Sequence, residues 1–133
     1  MSFELAMLVA SCVLCFVQII LASHAASLQR GYHWTASARD AEVPPLTGVA
    51  GRLERSLRNF LETFPVFVAG VFLVHALGRE SGLSEWGSGL YFSARLAYLP
   101  LYAAGIPLVR SLVWNVAFVG IVLLLLASLR PEL

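Results

Sequence analysis

Four long apolar runs, separated by breaks rich in polar residues, glycine and proline, organise the chain: residues 3–28, 53–77, 86–105 and 107–129. Each approaches the roughly 20 residues that a helix needs to cross a ~30 Å hydrocarbon core. The pattern predicts an all-α integral membrane protein, a four-transmembrane-helix bundle, with residues 1–133 forming a single domain. The one long polar break, residues 31–51, contains Val43-Pro44-Pro45-Leu46-Thr47-Gly48. Pro44 and Pro45 stiffen it and Gly48 can turn it, so an ordered cap and a plain tether both fit. Gly78-Arg79-Glu80-Ser81-Gly82 reads as a turn between helices two and three, and Gly105-Ile106-Pro107 as a tight connection to helix four. Pro100 removes one backbone hydrogen bond and is expected to kink helix three near its end.

Composition supports the membrane reading. The chain is 59% hydrophobic and only 13% charged, a balance that a soluble domain of this size cannot hide from water. All 9 basic residues are arginine. Arginine favours fixed, bidentate contacts to carboxylate or phosphate over the point charge of lysine. Arg30, Arg39, Arg52, Arg55 and Arg58 lie in or beside the long loop, which the positive-inside rule assigns to the cytoplasm. Both termini are then expected on the non-cytoplasmic side, of the inner or plasma membrane if the host is bacterial. The expected partners are membrane lipid and a lipophilic small molecule, with no nucleic acid.

Cys12 and Cys15 form a C-x-x-C, but inside an apolar helix they read as buried membrane cysteines rather than a redox dithiol. Ser23-His24-Ala25 loosely resembles a signal cleavage site. The run before it lacks a basic start, carries Glu4 and exceeds the apolar core of a signal, so it is expected to be retained. No spacing of His, Cys or carboxylate suggests a metal.

The polar residues inside the runs are not scattered. On helix two, Arg55, Arg58, Asn59 and Glu62 share one stripe roughly 100° wide. Charges near the hydrocarbon cost about 2.5–3.5 kcal/mol each at the centre on insertion scales and normally face a bundle interior or a wet cavity. A structural ion-pair network among Glu54, Arg55, Arg58 and Glu62 is the alternative. On helix three, Tyr91, Arg95, Tyr98 and Tyr102 stand at i, i+4, i+7 and i+11, a stripe roughly 60° wide. Tyrosines at an interface serve as belt anchors, but alignment with an intramembrane arginine also suits ligand binding. Arg110, Ser111 and Trp114 open helix four with a cation, a hydroxyl and an aromatic wall at the same depth, and Arg30 adds a cation at the end of helix one.

Several arginines with one carboxylate suit a zwitterion carrying more negative than positive groups, and glutathione is such a ligand. Its two carboxylates call for arginine, its ammonium for a carboxylate such as Glu62, and its thiol must lose a proton to become a nucleophile.

The segment Glu54-Arg55-Ser56-Leu57-Arg58-Asn59-Phe60-Leu61-Glu62-Thr63-Phe64-Pro65, followed by Ala94-Arg95-Leu96-Ala97-Tyr98, Tyr102 and Arg110-Ser111, resembles the MAPEG family, the membrane-associated proteins of eicosanoid and glutathione metabolism. The resemblance implies that Arg55, Arg58, Asn59, Glu62, Arg95, Tyr98 and Tyr102 bind glutathione as co-substrate. By the same resemblance Arg110, with Ser111, stabilises the thiolate, Arg30 joins from the end of helix one, and the chain assembles as a homotrimer. The separation of Tyr102 and Arg110 departs from that of the family's synthase branches, which leaves the rotation of Arg110 to the tertiary structure.

The function expected is a glutathione-dependent transferase or peroxidase acting on lipophilic electrophiles or lipid hydroperoxides. A non-catalytic lipid- or glutathione-binding protein of the same fold is the alternative. A small proton-coupled transporter is a third class, disfavoured because Glu4, at the edge of helix one, is its only acid.

Overall fold

The computed structural model describes residues 1–131. Four long helices and one short one make up the described chain: α1 (Phe3–Arg30), α2 (Tyr32–Ala36), α3 (Gly48–Ala76), α4 (Gly82–Ala103) and α5 (Pro107–Leu129). Ser2 caps α1 by accepting a hydrogen bond from the Leu5 N–H at 3.3 Å, and Gly31, at φ 93°, ends it by donating to the Ser27 carbonyl. Three helices, α1, α3 and α5, are long and apolar enough to cross a membrane. α4 is not among them: it carries Glu85 and Arg95 and is interrupted by serine, glycine and tyrosine.

Element bounds differ from the hydropathy reading where polar residues are helical. α3 begins at Gly48, earlier than residue 53, because residues 48–52, which fall outside the apolar run, are helical. α4 likewise starts at Gly82, where Ser81 and Ser84 form a capping box, rather than at residue 86. α4 also runs on through Pro100 to Ala103, so the proline falls in its last turn and leaves most of the helix unaffected. The connection to α5 is a short turn with Gly105 at φ 77°, a left-handed conformation that glycine adopts without penalty.

The long loop is an ordered cap. Trp34, in the middle of α2, donates from Nε1 to the Ala41 carbonyl at 3.0 Å. The Gln29 side-chain amide clamps the loop's far end, donating to the Pro45 carbonyl at 3.1 Å and accepting from the Thr47 N–H at 3.0 Å. Glutamine at the end of α1 thus holds backbone groups on both sides of Leu46.

The core runs along one face of α3 (Phe60, Phe67, Val71, Val74) against Tyr91 and Ala94 of α4, Ala117, Ile121 and Leu124 of α5, and Leu14 of α1. Tyr91 stacks on Phe67 with centroids 4.0 Å apart and planes 13° apart, and its hydroxyl lies 3.1 Å from Thr63 Oγ1. Tyr91 is therefore a packing residue, separate from the other tyrosines of its stripe. α4 and α5 approach at Gly87 and Gly120: a Cβ on Gly87 would fall 2.8 Å from the Gly120 carbonyl oxygen. Two residues without side chains let the backbones meet.

Glu4 lies at the edge of the first run in the sequence, yet the fold buries it to 1% exposure, with the Ser84 hydroxyl of α4 against its carboxylate. The reason is tertiary, because the start of α4 packs over the start of α1.

Candidate functional site

At the end of the bundle where α3 begins and α4 passes into α5, side chains from three helices line one cavity of about 310 Å³: Asn59 from α3, Tyr98 from α4, and Arg110, Ser111, Trp114 and Asn115 from α5. Helical spacing explains who faces it. Arg110, Ser111, Trp114 and Asn115 occur at i, i+1, i+4 and i+5, one side of the first two turns of α5.

Tyr102 is the hub beside this cavity. Its hydroxyl accepts a hydrogen bond from Arg55 Nε at 3.2 Å, and the guanidinium of Arg110 lies 4.7 Å from its ring centroid. The Tyr98 and Tyr102 rings are tilted together at 5.4 Å. Arg95, 1% exposed, donates from Nη1 to Asn59 Oδ1 at 2.8 Å and lies against the rings of Tyr98 (4.3 Å) and Phe60 (5.3 Å). The altered spacing between Tyr102 and Arg110 therefore leaves Arg110 over the tyrosine.

Arg55, Arg95 and Arg110 are held by neutral partners: among the described residues none of them is ion-paired with a carboxylate. Ring faces and a hydroxyl support the guanidinium groups without neutralising them. The net positive charge of this corner suits an anionic ligand.

Not all expected residues gather here. Arg58 turns to Glu54, 3.8 Å away, and both are substantially exposed. Glu62 is exposed on α3 and does not line the cavity. Of the alternative ion-pair network among Glu54, Arg55, Arg58 and Glu62, the described residues form only the Glu54–Arg58 pair. Arg30 lines a different cavity of about 280 Å³, with Trp34, Arg39 and Glu54, its guanidinium 5.2 Å from the Trp34 ring centroid. Within one chain Arg30 and the Arg110 cavity are separate, because the α2 cap draws the end of α1 toward itself.

Two residues at the site escaped the sequence reading. Asn115, one turn beyond Ser111, donates from Nδ2 to the Ser111 carbonyl at 2.9 Å and lines the cavity. Its i+4 relation to Ser111 was a usable signal. Arg52 donates from Nε to the Ala103 carbonyl at 2.8 Å, pinning α3 to the last turn of α4 just before the segment that delivers Arg110. Nothing local announces a partner so distant in sequence.

No curated protein sequence matches the chain. The family model described as the MAPEG family matches residues 7–130, nearly the whole chain and every residue of this cavity. The three apolar helices able to span a bilayer and the arginine-rich corner agree with that match, and the chain belongs to the MAPEG family of membrane-associated proteins in eicosanoid and glutathione metabolism.

Proposed function

We propose that the protein is a membrane-bound glutathione transferase or peroxidase whose co-substrate thiolate is stabilised by Arg110 and Ser111, acting on lipophilic electrophiles or lipid hydroperoxides that partition into the bilayer. The observation that carries this reading is the convergence of Arg110, Ser111, Tyr98 and Asn59 on one cavity, with Tyr102 linking Arg110 to Arg55. Arg55 and Arg110 supply charge for carboxylates and thiolate, while Asn59 and the tyrosines supply hydrogen bonds. Shifting a thiol pKa by two units takes about 2.7 kcal/mol of preferential anion stabilisation, within reach of one guanidinium and one hydroxyl in a poorly solvated pocket.

The working unit in this reading is a homotrimer of four-transmembrane-helix subunits. Arg58 and Glu62 are exposed on α3 of a single chain, and charges at that depth call for cover. A neighbouring subunit provides the cover and brings its own Arg30 toward the cavity. The loop between α1 and α3 faces the cytoplasm and both termini face the opposite side, following the arginine distribution. The bound glutathione supplies the nucleophilic sulfur. The chain binds its carboxylates, holds the thiolate and excludes water from it.

The test is a glutathione titration of the purified protein in mild detergent, followed by ultraviolet thiolate absorbance, with Arg110→Ala and Glu62→Gln in parallel. The expected result is a saturable thiolate signal in the wild type, reduced by Arg110→Ala at full occupancy, and weaker binding in Glu62→Gln. Conjugation and peroxidase rates that survive Arg110→Ala unchanged would refute the role of Arg110. Absence of glutathione binding in calorimetry would refute the function.

A further inference from the structure

Arg95 is 1% exposed, and it does not line the cavity that holds Asn59, Tyr98 and Arg110. Its guanidinium lies against the rings of Phe60 and Tyr98, and its Nε and Nη2 are closed to solvent and have no hydrogen-bond partner among the described residues. A ligand in the cavity meets its neighbours, not the guanidinium itself.

Those neighbours are oriented by it. A guanidinium carries N–H donors and no acceptor. The 2.8 Å contact from Arg95 Nη1 therefore requires the oxygen end of the Asn59 amide to point at Arg95. The amide nitrogen of Asn59, with its two donors, is left for the cavity. Were that amide free to flip, it would offer an anionic ligand a carbonyl oxygen as readily as an N–H.

Resting on the glutathione reading above, we propose that Arg95 is a positioning residue. It acts on glutathione through Asn59, locking the donor end of that amide toward the ligand's carboxylate or peptide carbonyl oxygen, and it makes no contact of its own. Its burial against Tyr98 fixes that ring by the same packing.

Glutathione binding, measured by calorimetry on the full chain in detergent, separates this role from direct contact in four proteins: wild type, Arg95→Gln, Asn59→Ala and the double variant, each with a thermal unfolding midpoint. Arg95→Gln, which releases the Asn59 amide, is expected to raise Kd about five- to tenfold, the scale of one lost hydrogen bond. In the Asn59→Ala background the same substitution is expected to change Kd less than about twofold, because the group it acts through is gone, while its cost in unfolding temperature remains. A full penalty in both backgrounds would mean that Arg95 touches the ligand, and would overturn the proposal.

Should Arg95→Gln fail to fold, Asn59→Asp provides the second arm. It keeps an acceptor for Arg95 but presents no N–H to the cavity, so it is expected to fold and to bind glutathione at least as poorly as Asn59→Ala. Wild-type affinity in Asn59→Asp would overturn the proposal. A wild type that binds no glutathione would instead overturn the function on which the proposal rests.

Discussion

The guanidinium of Arg110 lies over the ring of Tyr102, 4.7 Å from its centroid, although the two are separated by the break between α4 and α5. The same tyrosine receives the Arg55 hydrogen bond at its hydroxyl, so its ring and its hydroxyl have separable tasks. Tyr102→Phe keeps the ring and loses only the hydroxyl. It is expected to weaken glutathione binding by about 1 kcal/mol, roughly fivefold in Kd, without lowering the thiolate signal at saturation. Tyr102→Leu removes the ring as well and is expected to lower that signal too. Thiolate absorbance at saturating glutathione distinguishes the two variants.

The contact of Gly87 with Gly120 lets the backbones of α4 and α5 meet. A Cβ on Gly120 would fall 2.6 Å from the Gly87 carbonyl oxygen and 2.8 Å from the Tyr91 nitrogen, both of them backbone atoms with no freedom to turn aside. Gly87→Ala and Gly120→Ala are each expected to destabilise the fold by about 1–3 kcal/mol, the usual cost of overpacking. Thermal unfolding in detergent measures it. Gly89→Ala on the same helix is the control, since its added Cβ would meet only the tip of the Phe3 ring at 3.4 Å.

Buried Glu4 and Ser84 clamp the start of α1 to the start of α4. Glu4→Ala would leave the serine without this partner and open a gap, and is expected to cost about 1–3 kcal/mol of stability. Glu4→Gln keeps the shape and a hydrogen bond and is expected to cost less. The ratio of the two losses in thermal unfolding reports whether the hydrogen bond, rather than charge, holds the clamp.

At the turn between α3 and α4, His75 Nδ1 from the end of α3 and Glu80 Oε1 are 2.9 Å apart. Hydrogen bonds from His75 first, and then from Ser2, hold the Glu80 carboxyl below the usual carboxylate range. A carboxyl with a lowered folded-state pKa contributes stability that is fully present above its unfolded value and disappears as pH falls through the folded value. The unfolding midpoint of the wild type is therefore expected to drop more steeply than that of Glu80→Gln as pH is taken from neutral into the acid range below the ordinary carboxylate pKa. Parallel pH profiles would show that the contact contributes nothing.

Periodicity made the architecture legible, since three helices are apolar enough to be read by composition alone and the breaks carry the expected prolines and glycines. It also put Asn59, Tyr98 and Tyr102 on polar stripes, while Arg110 and Ser111 stood out as polar residues opening helix four. Periodicity assigns a residue to a helix face, and these five occupied faces that the fold brings to one corner. Spacing along a helix does not say which other helix arrives opposite. Arg55, Arg58, Asn59 and Glu62 share a stripe, yet Arg55 meets Tyr102, Asn59 meets Arg95, Arg58 turns back to Glu54 and Glu62 stays exposed.

The sequence by itself determined where the four long helices lie, three of them apolar enough for a bilayer, and which of their faces are polar, because these follow from local periodicity and transfer energy. The tertiary structure alone decided that Glu4 is interior, that Tyr91 packs while Tyr98 and Tyr102 border the cavity, that Arg95 sits behind Asn59, and that Arg30 lies apart from the others. Each depends on a partner from another helix, such as Ser84 standing 80 residues from Glu4. The energy of such contacts comes from side chains that only the packed bundle brings within reach.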